Sequence, residues 1–92
     1  MMKEVYIALQ AIEEALPIID AIMEDNPDAT LRRYPAMVRI EAPGRLTVKR
    51  ATVSAKIGRD WDPQELHVCM ISIGGNVYET DDEFSLQWGA TK

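Results

Sequence analysis

The chain has 92 residues, of which 47% are apolar and 27% charged, and its net charge is −5. These values describe one globular domain spanning residues 1–92, too small to bury a core and also enclose a deep catalytic cavity, and too acidic overall for a non-specific nucleic-acid binder. The single cysteine, Cys69, excludes an internal disulfide, and the lone histidine, His67, leaves no Cys/His cluster for zinc. No stretch reads as a signal peptide or approaches ~20 apolar residues, so the expected setting is the cytoplasm, without a membrane partner.

Taken in chain order, Lys3 to Leu9 is β-rich at Val5, Tyr6 and Ile7 and predicts a first strand. A helix is expected from about Leu16, because Pro17 is tolerated only in a first helical turn, where its missing N–H has no partner to lose. Ile18, Ile19, Ile22 and Met23 form one apolar stripe at i/i+4 spacing, with Asp20 and Glu24 facing out. Asn26-Pro27 ends the helix, since the residue before proline avoids the α region. Leu31 to Tyr34 is a candidate short strand broken by Pro35. Met37 to Glu41 alternates clearly. Ala42-Pro43-Gly44-Arg45 suits a type II turn, with Leu46 to Lys49 returning as a hairpin partner. Ala51 to Ile57 predicts a short helix capped by Gly58, and Asp62-Pro63 a turn or a single helical turn. Leu66 to Ile73 is apolar on both parities apart from His67 and Ser72, which predicts a central strand covered on both faces. Gly74-Gly75 breaks it, and Val77 to Glu79 and Glu83 to Trp88 close the chain. The expected order is β-α-β-β-α-β-β-β: an α+β domain with two short helices on largely antiparallel sheet.

Charge is unevenly spread. Between positions 32 and 59 lie eight basic residues (Arg32, Arg33, Arg39, Arg45, Lys49, Arg50, Lys56 and Arg59) against one acid, Glu41, a net +7, while the flanks carry −6 each. Such a window either pairs internally or forms a patch that steers a partner.

Residues able to carry chemistry lack partners in the sequence. His67 has no neighbour suited to orient it as a base, and Cys69 two residues on reads as a buried thiol. Asp81, Asp82 and Glu83 lack the spacing of a calcium loop and read as a solvated turn. The serines have no nucleophile-elbow context, and Gly74-Gly75 is followed by no phosphate-binding lysine. Tyr78, Phe84 and Trp88 are the aromatic residues available to stack on bases, but the acidic turn beside them would repel phosphate. Neither catalytic, cofactor-binding nor metal-ligating residues are therefore assigned.

The runs "VYIALQ", "IMEDNP", "MVRIEAPGRLTVKRA", "IGRDWDPQEL" and "DDEFSLQW" recur in order and, from Val5 to Trp88, resemble the small coupling proteins of bacterial multicomponent monooxygenases, the family of methane monooxygenase component B and the phenol hydroxylase regulatory proteins. The resemblance implies a cofactor-free α+β regulatory protein that docks on a di-iron hydroxylase oligomer and modulates its conformation, oxygen activation and substrate access. It leaves room for self-association, and for competition or cooperation with the system's reductase. In the methane group the segment before the strand-breaking glycine is small and polar. Here the matching Ile71, Ser72 and Ile73 depart from that pattern, and the long N-terminal tail of that group has no counterpart.

The expected contact surface combines Ile71, Ser72, Ile73, Gly74, Gly75 and Asn76 with the Gly44-Arg45 turn and the Arg59/Trp61 corner. Arg and Trp are the residue types enriched at binding hot spots, although Trp61 is equally suited to the core. Two readings from other classes stay open: a small-ligand sensing βαββαβ domain, and a nucleic-acid-binding module that uses the basic window.

Overall fold

Two β-sheets and three helices share one apolar core in the computed structural model, which describes residues 3–88. The elements are β1 (Glu4–Gln10), α1 (Leu16–Asp25), β2 (Thr30–Tyr34), β3 (Met37–Pro43), β4 (Arg45–Lys49), α2 (Arg50–Ile57), α3 (Leu66–Cys69), β5 (Met70–Gly74), β6 (Asn76–Glu79) and β7 (Glu83–Gln87). Single 3-10 turns, Glu13–Ala15 and Pro63–Glu65, lead into α1 and α3. The first sheet has the order β2-β3-β1-β5 and the second β4-β7-β6, and every pairing is antiparallel. The fold is α+β, as expected. Among the described residues no helix is long and apolar enough to cross a membrane.

Alternation along the strands sorts the side chains. Val5, Ile7 and Leu9 of β1 and Val38, Ile40 and Ala42 of β3 are buried, and their intervening neighbours Tyr6, Arg39 and Glu41 are partly exposed. In the second sheet Leu46 and Val48 pair with Leu86 and Phe84 and join the same cluster. The α1 stripe holds as read: Ile18, Ile19 and Ile22 are buried, while Asp20 and Glu24 face out. Glu24 pairs with Lys56 of α2 at 2.9 Å.

The short strand expected at Leu31 to Tyr34 is present as Thr30–Tyr34, paired with β3. Two local expectations are corrected. The Pro43-Gly44 turn does not fold Leu46 to Lys49 back onto β3; β4 belongs to the other sheet. Gly44, at φ 79°, is a corner between sheets, its N–H held by the Lys3 carbonyl at 3.0 Å. Gly75, at φ 137°, is the second such corner, joining β5 to β6, and both φ values favour a residue without Cβ.

The second correction concerns Leu66 to Ile73, which is not one central strand. Its first half is α3, with Leu66 and Cys69 turned inward and His67 and Val68 outward; its second half is the edge strand β5. The cause lies upstream, in a capping box. The Asp62 carboxylate accepts from the Gln64 N–H at 2.9 Å, the Glu65 carboxylate accepts from the Asp62 N–H at 3.1 Å, and Pro63 takes the first position. That start signal winds the next residues helically despite their β-branched content.

Asn26, directly after α1, joins the helix to the second sheet. Its amide donates to the Ile22 carbonyl and to the Thr47 carbonyl, each at 2.7 Å, and its Oδ1 accepts from the Thr47 N–H at 3.0 Å. Thr47 sits mid-strand in β4, whose other side pairs with β7. The side chain therefore does what a neighbouring strand residue would do, and satisfies an edge that the core covers.

Replacing Asn26 with alanine should lower the free energy of unfolding by about 2–3 kcal/mol in urea titrations, because two backbone groups of the nearly buried Thr47 lose their partner. A loss below about 0.5 kcal/mol would show that solvent replaces the amide at no cost. Asn26→Asp, which keeps the shape but removes the donor, should be destabilised at least as much.

Candidate partner interface

β5 is an outer strand, bonded to β1 on one side. Its register runs Tyr6↔Gly74, Ile7↔Ile73, Ala8↔Ser72 and then Leu9↔Met70, so Ile71 is one residue too many for its partner. This is a β-bulge, and it leaves Ile71 48% exposed beside the exposed Ser72. Ile73 packs against the core.

Gly74 is set by contact. A Cβ there would run into the Tyr6 ring across the ladder, and the Arg39 guanidinium covers that ring at 3.8 Å from its centroid. Arg39 is held in turn by Glu41 at 2.8 Å, and Glu41 by Arg32 at 3.1 Å. The aromatic ring thus lies over the end of β5 where a side chain would otherwise be. At Gly75 an added Cβ would meet Val5 Cγ1 at 3.0 Å.

Register brings the two corners together. Arg45 and Asn76 both stand opposite Gln87, so the starts of β4 and β6 flank the end of β7, while Glu4 pairs with Pro43. Gly44, Arg45, Gly75 and Asn76 therefore gather at one end of the molecule, and Ile71 to Gly74 lead to it along the sheet edge. Trp88, absent from the expected surface, completes this end. Its indole N–H donates to the Glu4 carbonyl at 2.8 Å, Lys3 lies 4.8 Å from its ring centroid, and the residue is 42% exposed. A tryptophan closing an alternating strand was the available signal.

Arg59 and Trp61 do not join them. Arg50 pairs with Asp60 at 2.8 Å and donates to the Asp81 carbonyl at 2.9 Å, which puts this corner beside the acidic turn, at the end of β4 away from Arg45. Trp61 is only 2% exposed, its N–H held by Ser54 Oγ at 2.8 Å, so it belongs to the core. Arg59 stays at the surface but forms a two-pronged pair with Glu65, at 2.8 and 3.1 Å.

The basic window is largely neutralised from within. Arg32, Arg39, Arg50, Lys56 and Arg59 are in ion pairs, three of them with acids of the flanks, which lowers the local positive charge of the window. Arg33, Arg45 and Lys49 form no ion pair among the described residues. The acidic turn is a docking point as well as a solvated loop: the Asp82 carbonyl accepts from the Arg50 N–H at 2.8 Å, and Thr80 Oγ1 accepts from the Asp82 and Glu83 N–H groups at 3.2 Å. The hydrogen bond from Arg59 holds the Glu65 carboxyl below its usual range, and Arg50 does the same for Asp60. Burial pushes the Cys69 thiol up, which keeps it protonated and unreactive. Exposed His67 lies 3.5 Å from Glu79 and edge-on to Phe84, and His67 and Glu79 share a polar hollow with Asp62, Thr80 and Asp81. Among the described residues no cluster of three or more His, Cys, Asp or Glu side chains is placed to hold a metal.

Comparison with known proteins matches residues 3–87 to the model of the MmoB/DmpM family. The chain is 51% identical over 84 residues, 91% of its length and 93% of the relative's, to the stimulatory component DmpM of phenol 2-monooxygenase from Pseudomonas sp. strain CF600. It superposes with a TM-score of 0.91 and 47% identity on a chain from a phenol hydroxylase–regulatory protein complex, covering 95% of this chain and 100% of that one. The regulatory protein B of soluble methane monooxygenase shares the fold at a TM-score of 0.74 and 21% identity, over 94% of this chain and 65% of that one.

Two predictions follow from this geometry. Gly74→Ala should destabilise the protein by about 1–3 kcal/mol, and by clearly less in a Tyr6→Ala background; equal losses in both backgrounds would remove the ring as the cause. The Arg59–Glu65 pair should act wherever the Glu65 carboxyl is ionised, which in the folded protein extends below the usual carboxylate range. Because the folded Glu65 carboxyl titrates below its unfolded value, its contribution is complete above about pH 5 and disappears as pH falls through the folded value. Glu65→Gln should therefore flatten the loss of stability between about pH 5 and pH 3, measured by urea unfolding at each pH.

Proposed function

Because this chain belongs to the MmoB/DmpM family, we propose that it is the cofactor-free regulatory component of a bacterial multicomponent phenol or aromatic monooxygenase. It is not itself an enzyme. It binds the di-iron hydroxylase of its system and changes the rate and selectivity of oxygen activation by stabilising one hydroxylase conformation over others, which requires only that it bind the favoured state more tightly. The observation that carries this reading is the near full-length correspondence with a chain solved within a phenol hydroxylase–regulatory protein complex.

The surface best suited to the task is the β5 edge together with the corner end. Ile71 supplies apolar area. Ser72, Asn76 and Arg45 supply hydrogen-bonding groups around it. The glycine corners let backbone approach a facing surface closely. Trp88 extends this surface, whereas Trp61 lies buried at the other end of β4 and is left out of it.

Titration into purified hydroxylase and reductase tests the assignment. Ile71→Asp and Arg45→Ala should fold normally, since both residues are exposed. Ile71→Asp should raise the concentration needed for half-maximal activation by about 30-fold, the equivalent of a ~2 kcal/mol hot spot, and Arg45→Ala by less. Unchanged activation curves for both would remove the β5 edge and this corner from the interface, and full hydroxylase activity without the chain would remove the regulatory role.

A further inference from the structure

Beyond the β5 edge, the described residues form a half-open cleft of about 270 Å³ where the start of α1, the end of α2 and α3 meet. Ile18, Ile57, Trp61, Val68 and Cys69 give it apolar walls. The space exceeds the ~150 Å³ in which an apolar protein cavity already binds benzene. Trp61 and Cys69, each 2% exposed, form its floor, and Ile57 and Val68 present the apolar surface that a ring would cover.

Charge decides which ring. Glu14, Arg59 and Glu65 also line the cavity, and Arg59 is already engaged by both oxygens of Glu65. The spare charge is that of Glu14, so an anion finds no free cation and meets repulsion, while a neutral ring meets apolar atoms. A protein segment is a poor occupant at this size, which fits one ring and not a helix face.

We infer that the cleft between α1, α2 and α3 binds a small, uncharged monocyclic aromatic molecule, of the phenol or alkylbenzene class. The choice of ring chemistry rests on the function proposed above; the size and charge of the cleft do not. The cleft has a direct structural route to the interface. Val68 and Cys69 line it, and α3 continues without a break into Met70 and the bulged Ile71, so an occupant bears on the helix that sets the start of β5.

The experiment uses the chain alone, labelled with ¹⁵N, titrated with phenol, toluene and benzoate and observed by two-dimensional NMR. Phenol and toluene should give saturable shifts at the Trp61 indole N–H and the amides of Ile57, Val68 and Cys69, half-complete near or below ~1 mM, while benzoate should give none at these sites. Val68→Asp, at a residue 76% exposed and so harmless to folding, should raise the half-saturating concentration at least tenfold, and Ile57→Phe should fill the space and abolish the shifts. Shifts that stay linear, or that saturate equally in both variants, or that appear for benzoate at the same sites, would overturn the assignment. No hydroxylase is present, so a negative result here leaves the regulatory role standing, and a failure of hydroxylase activation leaves this binding result standing.

Discussion

One carboxamide holds the architecture together. The polypeptide passes between its two sheets three times, at the glycine corners Gly44 and Gly75 and through α2 and α3, and the two corners alone would leave the sheets free to splay. Asn26 prevents this by pairing with the Thr47 backbone as a strand residue would, while also closing the last turn of α1. The helix then lies fixed against β4, its isoleucines fill the space between the sheets, and the inner faces of β1, β3, β4 and β7 close on them. Burial of that cluster supplies most of the driving force. The amide decides where the cluster forms.

Electrostatics acts as a second, weaker layer of placement. Exposed ion pairs contribute roughly 0–1 kcal/mol each, so Arg50, Lys56 and Arg59 do not hold the fold together by themselves. What they do is fix position: Arg50 draws the acidic turn and Asp60 to the start of α2, and Arg59 grips the carboxylate that completes the capping box ahead of α3. The basic middle and acidic flanks of the sequence are therefore mostly one internal arrangement. Arg45, outside it, stands at the corner end and remains available to a partner.

Much of this was legible in the residues. Periodicity located α1 and β3, because each has one buried face, and β-forming residues located β1. The Gly74-Gly75 pair marked the end of β5, since a double glycine breaks a strand-forming run. Other features were hidden for physical reasons. A Pro-Gly turn has the same local chemistry whether the chain reverses within a sheet or leaves it, so the change of sheet at Gly44 could not be read locally. The run from Leu66 onward is apolar on both parities, and four helical residues leave no periodicity to detect; the Asp62, Pro63 and Glu65 start signal was the clue that outweighed β propensity. Trp61 was undecidable alone, because its burial depends on a hydrogen bond to Ser54 seven residues back. Trp88 was overlooked because its partner, the Glu4 carbonyl, lies at the other end of the chain.

The surplus residue at Ile71 has a consequence for life between encounters. An outermost strand with free backbone groups and a protruding isoleucine invites pairing with its own copies, the first step toward insoluble aggregates. A single insertion spoils that ladder: neighbours that align on one side of the bulge fall out of step on the other. The bulge thus lets an outer strand keep an apolar side chain on display without offering its own copies an unbroken ladder.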